Sequence, residues 1–180
     1  MSIAKKEYKR VTTKSLVDMK SNGEKISMLT AYDYTMAKIV DNAGIDIILV
    51  GDSASNVMAG HETTLPITLE QMIYHAQSVV RAIHRCFVVV DLPFGSYQAS
   101  PQQALATATR FMKEGLAHAV KLEGGAPMVP EVELLVRAGI PVMGHIGFTP
   151  QSVHALGGFK VQGRGDDGDE ILKDAKALEL

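Results

Sequence analysis

From Lys25 onward, short β-branched runs alternate with longer amphipathic ones, a rhythm that predicts βα units and a parallel sheet. Apolar residues fill 45–50 (IDIILV) and 87–90 (FVVV) almost without a break, as strands buried on both faces require. Shorter runs at 26–30, 119–122 and 141–144 complete a set of five strands. Between them lie helices with legible ends. Residues 34–42 stop ahead of Gly44. Thr68 and Gln71 make a capping-box pattern before Met72, Ile73, Ala76, Val79, Val80 and Ile83, which recur on one helical face. Ser100, Pro101 and Gln103 repeat the signal for a helix to about Glu114, with Gly115 expected at its C′ position. A further helix starts near Pro130, carries Glu131 and Glu133 in its positive first turn and stops at Gly139. Residues 13–22 predict an extra helix closing the bottom of the sheet, within an N-terminal extension over 1–24, and a last helix runs from about Asp169 to Leu180.

Five βα units in one domain over 1–180 are therefore expected. A closed eight-stranded barrel takes ~250 residues, so the chain reads as a barrel about three units short of closure. A fragment is expected rather than an open doubly wound sheet, because 171–180 has the pattern of a helix interrupted rather than capped.

Composition narrows the function. The 180 residues are 46% hydrophobic and 21% charged, an ordinary globular balance. A net charge of -2 gives no electrostatic footprint for nucleic acid. The N-terminus has no apolar h-region and no run of 18 apolar residues occurs, so a cytoplasmic protein with no membrane contact is expected. The single cysteine, Cys86, has no partner for a disulfide or CxxC motif and precedes an apolar strand, where a buried structural thiol is expected.

In parallel α/β folds ligands bind at the C-terminal ends of the strands, and here those ends are polar: Gly51-Asp52-Ser53, Asp91, Lys121-Leu122-Glu123 and Gly144-His145. One such carboxylate alone is often a turn or helix cap. Three at equivalent positions repel one another unless a cation sits among them, and an all-oxygen set of Asp52, Asp91 and Glu123 favours Mg2+ or Mn2+. Lys121 and Glu123 alternate with Leu122 and share one face. In the helix layer Lys121 would be an unpaired buried charge, so the barrel interior is its expected place, where it pairs with a substrate carboxylate or enolate oxygen. A Schiff-base role is disfavoured, because a lysine held among carboxylates stays protonated. His61, His75, His84, His118 and His154 show no HxH or HExxH spacing, whereas His145 ends a strand and is placed to bond a substrate. The glycine-rich stretch 157–168 has neither GxGxxG nor Walker spacing, so a mobile loop is expected there.

The segments MLTAYDYTMAKIVDNAGID, LVGDSASNVMAGHETTLPITLEQMIYH, VVVDLPFGSY, AVKLEGG and PVMGHIGFTPQSV resemble the 3-methyl-2-oxobutanoate hydroxymethyltransferase family. The resemblance runs from about Thr12 onward and implies a (β/α)8 TIM-type barrel similar to the phosphoenolpyruvate-utilising barrels, assembled as a homo-oligomer. It implies transfer of a hydroxymethyl group from 5,10-methylenetetrahydrofolate to 3-methyl-2-oxobutanoate, giving 2-dehydropantoate for pantothenate biosynthesis, through a Mg2+-stabilised enolate. Carried over by residue, it implies Asp52 and Asp91 as metal ligands with Glu123 in the metal shell. Ser53, Asp52, Asp91, Lys121 and His145 are then the implied substrate contacts, Ser53 at the substrate carboxylate. The family's proton-abstracting glutamate lies on the strand after the fifth helix, and no residue here matches it; Glu179, in the last helix, is not assigned the role. The 180-residue chain is accordingly expected to bind metal without exchanging the C3 proton. Two other outcomes are open at this point: a carbon–carbon lyase of the phosphoenolpyruvate mutase and isocitrate lyase type, and an inactive metal-binding module.

Overall fold

The computed structural model describes residues 9–179; residues 1–8 of the expected extension and Leu180 lie outside the described residues. In chain order the elements are α1 (Thr13–Ser21), β1 (Met28–Thr30), α2 (Tyr34–Asn42), β2 (Ile47–Val50), α3 (Ala54–Val57), α4 (Leu69–Val80), β3 (Phe87–Asp91), α5 (Pro101–Lys113), β4 (Ala119–Glu123), α6 (Val129–Arg137), β5 (Val142–His145) and α7 (Asp166–Leu178). Short 3-10 turns at Ala126–Met128 and Pro150–Ser152 precede α6 and follow β5.

All strand pairs are parallel and the sheet order is β1-β2-β3-β4-β5. This order excludes the doubly wound alternative, which reverses direction at a switch point; sequential neighbours are the order of a (β/α) barrel. Strand alternation then sorts the core into two layers. Ile48, Val50, Val88, Val90, Val120 and Leu122 pack with the helices. Ile47, Phe87, Val89 and Ala119 pack on the other face with Val11, Leu16, Leu49 and Met143. Leu16 of α1 thus rests against the first residues of β2, β3 and β4, so α1 covers the N-terminal end of the sheet.

Local chemistry accounts for the boundaries. Thr68 and Gln71 form the expected capping box, with reciprocal bonds of 3.2 and 2.8 Å, but α4 ends at Val80 and the buried Ile83 lies beyond it. Ser100 caps α5 by accepting from the Gln103 N–H. Gln103 does not reach back to Ser100: its Oε1 accepts from Ala99 N–H (3.0 Å) and its Nε2 donates to Gly95 O (2.9 Å). β1 and β2 begin two residues later than expected, at Met28 and Ile47. There Asp46 accepts from the backbone and hydroxyl of Ser27 and pairs with Arg85, so side-chain bonds clamp the approach to both strands. At the end of α5 the left-handed residue is Leu116 (φ 57), one position after Gly115.

Candidate functional site

Two rows of inward-facing side chains end in charge. Asp91 follows Phe87 and Val89 on β3, and Lys121 and Glu123 follow Ala119 on β4, so all three continue the face opposite the helices. The register sets Asp91 beside Lys121 and Glu123 beside His145. Asp52 comes from the turn after β2. Gly51 permits this turn to close on the rim, since a Cβ there would meet Ser53 Oγ at 2.8 Å. Asp52, Asp91, Lys121 and Glu123 are all buried.

The contacts form one network. Lys121 Nζ pairs with Asp91 Oδ1 at 2.7 Å, and Asp52 N–H donates to Asp91 Oδ2 at 3.1 Å. Glu123 Oε1 lies 3.2 Å from His145 Nδ1, and its Oε2 accepts from the Gln151 N–H at 2.9 Å. Gln151 Nε2 donates to Asp52 Oδ2, also at 2.9 Å. Ser53 sits beside this group, its Oγ 2.8 Å from the Tyr32 hydroxyl. Asp52, Asp91, Lys121, Glu123 and His145 are therefore brought together at the C-terminal rim, with Ser53 on its flank. A cavity of about 200 Å3 adjoins Ser53, lined also by Asn56, Thr64, Pro150 and Phe159. A larger one, about 420 Å3, lies between α6 and α7 around Val132, Val136 and Leu178, and touches none of the rim carboxylates.

Three side chains join the site that sequence reasoning did not single out: Tyr32, Tyr97 and Gln151. The Tyr97 hydroxyl accepts from Glu123 N–H at 3.1 Å and lies 2.9 Å from Gln151 Oε1. The short α3 was likewise unforeseen. Gln151 and Tyr97 fall inside the segments GFTPQS and PFGSY, but nothing in their local pattern separates them from ordinary polar loop residues.

Burial, and then the neighbouring Asp91 charge, push the Asp52 carboxyl up to about 6. Burial also raises Asp91, against the opposing pull of Lys121. Three carboxylates thus face one lysine, a surplus of negative charge held out of water, which is the environment a cation relieves. Among the described residues no three His, Cys, Asp or Glu side chains stand together as a ready-made metal shell. That is compatible with Mg2+, which keeps several waters and commonly takes one or two carboxylates. Asp52 and Asp91 would supply the oxygens, Asp91 Oδ1 being shared with the Lys121 ammonium at 2.7 Å. The donor set fits a hard divalent cation.

A model of the ketopantoate hydroxymethyltransferase family matches residues 10–180. The chain belongs to that family. A 3-methyl-2-oxobutanoate hydroxymethyltransferase of Flavobacterium johnsoniae is 67% identical over 180 residues, covering 99% of this chain and 66% of that protein. The Christiangramia forsetii protein of the same name is 69% identical over the same shares. The chain thus spans just under two thirds of the length of these relatives. Solved structures extend the ketopantoate hydroxymethyltransferase likeness to the fold. They include a phosphoenolpyruvate phosphomutase of Streptomyces platensis subsp. rosaceus (TM-score 0.68, 16% identity, 93% of this chain and 60% of that one). A phosphonopyruvate hydrolase in complex with oxalate and Mg2+ gives a TM-score of 0.69 at 11% identity, over 94% and 60%. A 2,3-dimethylmalate lyase of the PEP mutase/isocitrate lyase superfamily gives 0.62 at 17%, over 94% and 58%. At these identities the likeness concerns the fold alone, a TIM-type (β/α) barrel, of which five consecutive strands lie in the described residues. Among the described residues no helix is long and apolar enough to cross a membrane.

Proposed function

We propose that this chain carries the Mg2+- and oxo-acid-binding half of a 3-methyl-2-oxobutanoate hydroxymethyltransferase site, one that takes its one-carbon unit from 5,10-methylenetetrahydrofolate. The observation that carries this reading is the buried acidic rim of Asp52, Asp91 and Glu123 around Lys121, in a chain of this family. Asp52 and Asp91 would hold Mg2+, with Glu123 in the surrounding shell. Bound there, Mg2+ supplies Lewis-acid polarisation of the keto and carboxylate oxygens of the oxo-acid.

The chain's own residues divide the remaining work. Asp91 fixes the Lys121 ammonium at the rim, where it faces the negative charge that develops when the C3 proton leaves. The Ser53 hydroxyl, oriented by Tyr32, offers a hydrogen bond to the substrate carboxylate. With Glu123 held by the Gln151 N–H and Asp91 by Lys121, these two carboxylates bind and orient rather than accept the C3 proton.

Calorimetric titration with 3-methyl-2-oxobutanoate, with and without Mg2+, tests the reading. Binding is expected only with the cation, and oxo-acid affinity indifferent to Mg2+ would overturn it. Measured on an intact chain that carries the proton-abstracting glutamate, folate dependence of hydroxymethyl transfer separates this chemistry from a carbon–carbon lyase on the same fold, which has no use for the one-carbon donor.

A further inference from the structure

Gln151, which the sequence reading did not choose, bonds two of the three rim carboxylates, Asp52 and Glu123. It lies on the short turn Pro150–Ser152 after β5 and is 6% exposed. Its side-chain amide has two donor hydrogens and two acceptor sites, and all four are used. Nε2 donates to Asp52 Oδ2 at 2.9 Å and to the Leu92 carbonyl at 2.9 Å. Oε1 accepts from the Tyr97 hydroxyl at 2.9 Å and from Gln98 Nε2 at 3.0 Å.

The amide cannot be reversed. Turned over, its oxygen would face the Asp52 carboxylate and the Leu92 carbonyl, and its NH2 would face the NH2 of Gln98, which sets three of the four contacts donor to donor or acceptor to acceptor. The main-chain N–H of the same residue holds Glu123 Oε2 at 2.9 Å. One residue of the β5 loop therefore pins one oxygen each of Asp52, beyond β2, and Glu123, on β4, while anchoring on the backbone just past β3.

We propose that Gln151 is a positioning residue for the divalent cation: by pinning Asp52 Oδ2 and Glu123 Oε2 it fixes the rotation of both carboxylates. This inference rests on the cation reading above and extends it to a residue with no direct role in binding the oxo-acid. Two like-charged carboxylates left to rotate would turn apart toward water. Held by neutral N–H donors, they stay converged before the cation arrives. Groups that orient metal ligands in this way commonly change metal affinity by ~10- to 100-fold when removed.

The test uses Mn2+ as the probe, followed by electron paramagnetic resonance, with Mg2+ calorimetry in parallel, on the full chain and on Gln151→Met. Methionine keeps the length and apolar bulk of the side chain but donates nothing to Asp52. The variant is expected to stay folded by circular dichroism and to bind Mn2+ at least tenfold more weakly. An affinity within twofold of the parent would overturn the proposal, since a purely structural role lowers the melting temperature without moving the dissociation constant of the folded protein. If Gln151→Met does not fold, Gln151→Asn decides by the same criterion, because its amide is one methylene too short to reach both Asp52 and Leu92. A parent protein that binds no Mn2+ would instead overturn the cation reading, and this proposal with it. A parent that binds and a variant that binds equally well would overturn the proposal alone.

Discussion

Lys121 Nζ stands 2.7 Å from Asp91 Oδ1, across a register that makes the two residues neighbours on adjacent parallel strands, and both are buried. Removing one member of such a pair leaves the other charge buried and uncompensated, a loss of about 3–5 kcal/mol. Lys121→Met is therefore expected to lower the melting temperature markedly in metal-free buffer. Added Mg2+ should recover more stability in this variant than in the parent, because the cation then replaces the missing positive charge beside Asp91. Thermal melts with and without Mg2+ measure both effects, and equal Mg2+ protection in the two proteins would count against a cation at this rim.

Ser53 Oγ and the Tyr32 hydroxyl are 2.8 Å apart. A hydrogen bond to a charged group contributes about 1.5–3 kcal/mol, so loss of the Ser53 hydroxyl is expected to weaken oxo-acid binding by ~10- to 100-fold. Tyr32→Phe removes only the orienting partner and should cost less. Calorimetry with the oxo-acid in saturating Mg2+ ranks the two, and an effect of Tyr32→Phe equal to or larger than that of Ser53→Ala would place the carboxylate contact elsewhere.

These residues differ in how far the sequence exposes them. Asp91 and Glu123 end strands whose apolar runs are plain, and Asp52 follows one, so position along the chain nearly suffices to place them on one rim. The inward direction of Lys121 also follows from alternation, since Ala119 and Lys121 share a face. Gln151 is different. Its partners Glu123 and Asp52 lie 28 and 99 positions away, and only the packing of the loop after β5 across the strand ends brings them within reach. Tyr97, 26 positions from Glu123, is hidden for the same reason. The four-residue α3 is too short for any 3.6-residue period to register.

The end of α5 shows a subtler failure of local pattern. A glycine after a helix normally takes the left-handed conformation, yet here Leu116 does so, at φ 57. Gly115 serves another need: a Cβ on it would lie 2.8 Å from Phe111 O and 3.2 Å from Ala76 Cβ, at the contact of α5 with α4. Gly115→Ala is thus expected to destabilise by about 1–3 kcal/mol through overpacking. Leu116→Asn should be neutral or stabilising by up to about 1 kcal/mol, because asparagine tolerates the left-handed region and Leu116 is exposed. Urea unfolding of both variants measures the contrast, and a larger loss from Leu116→Asn than from Gly115→Ala would reverse the assignment.

Asp41 provides the pH test. Its carboxylate, on α2, accepts from three consecutive backbone N–H groups ahead of and at the entry to β3: His84 (2.8 Å), Arg85 (3.0 Å) and Cys86 (2.8 Å). Burial by itself raises its pKa, but the bonds from Cys86, His84 and Arg85 together outweigh burial and hold the carboxyl below its usual 3.8. Because the folded pKa is the lower one, the unfolded chain binds the proton more tightly, and stability rises with pH between the two values. The contribution is complete above the unfolded pKa and is lost as pH falls through the folded one. Asp41→Asn mimics the protonated acid by setting an NH2 donor against these N–H groups, and is expected to destabilise by about 1–3 kcal/mol at pH 7. In urea titrations the gap between parent and Asp41→Asn should stay constant from pH 7 to pH 5 and narrow below about pH 4, where the carboxyl of the unfolded parent begins to take up its proton while that of the folded protein still resists it. A gap as wide at pH 3 as at pH 7, in protein still folded at both, would mean that the N–H groups are satisfied by the shape of the side chain and not by its charge.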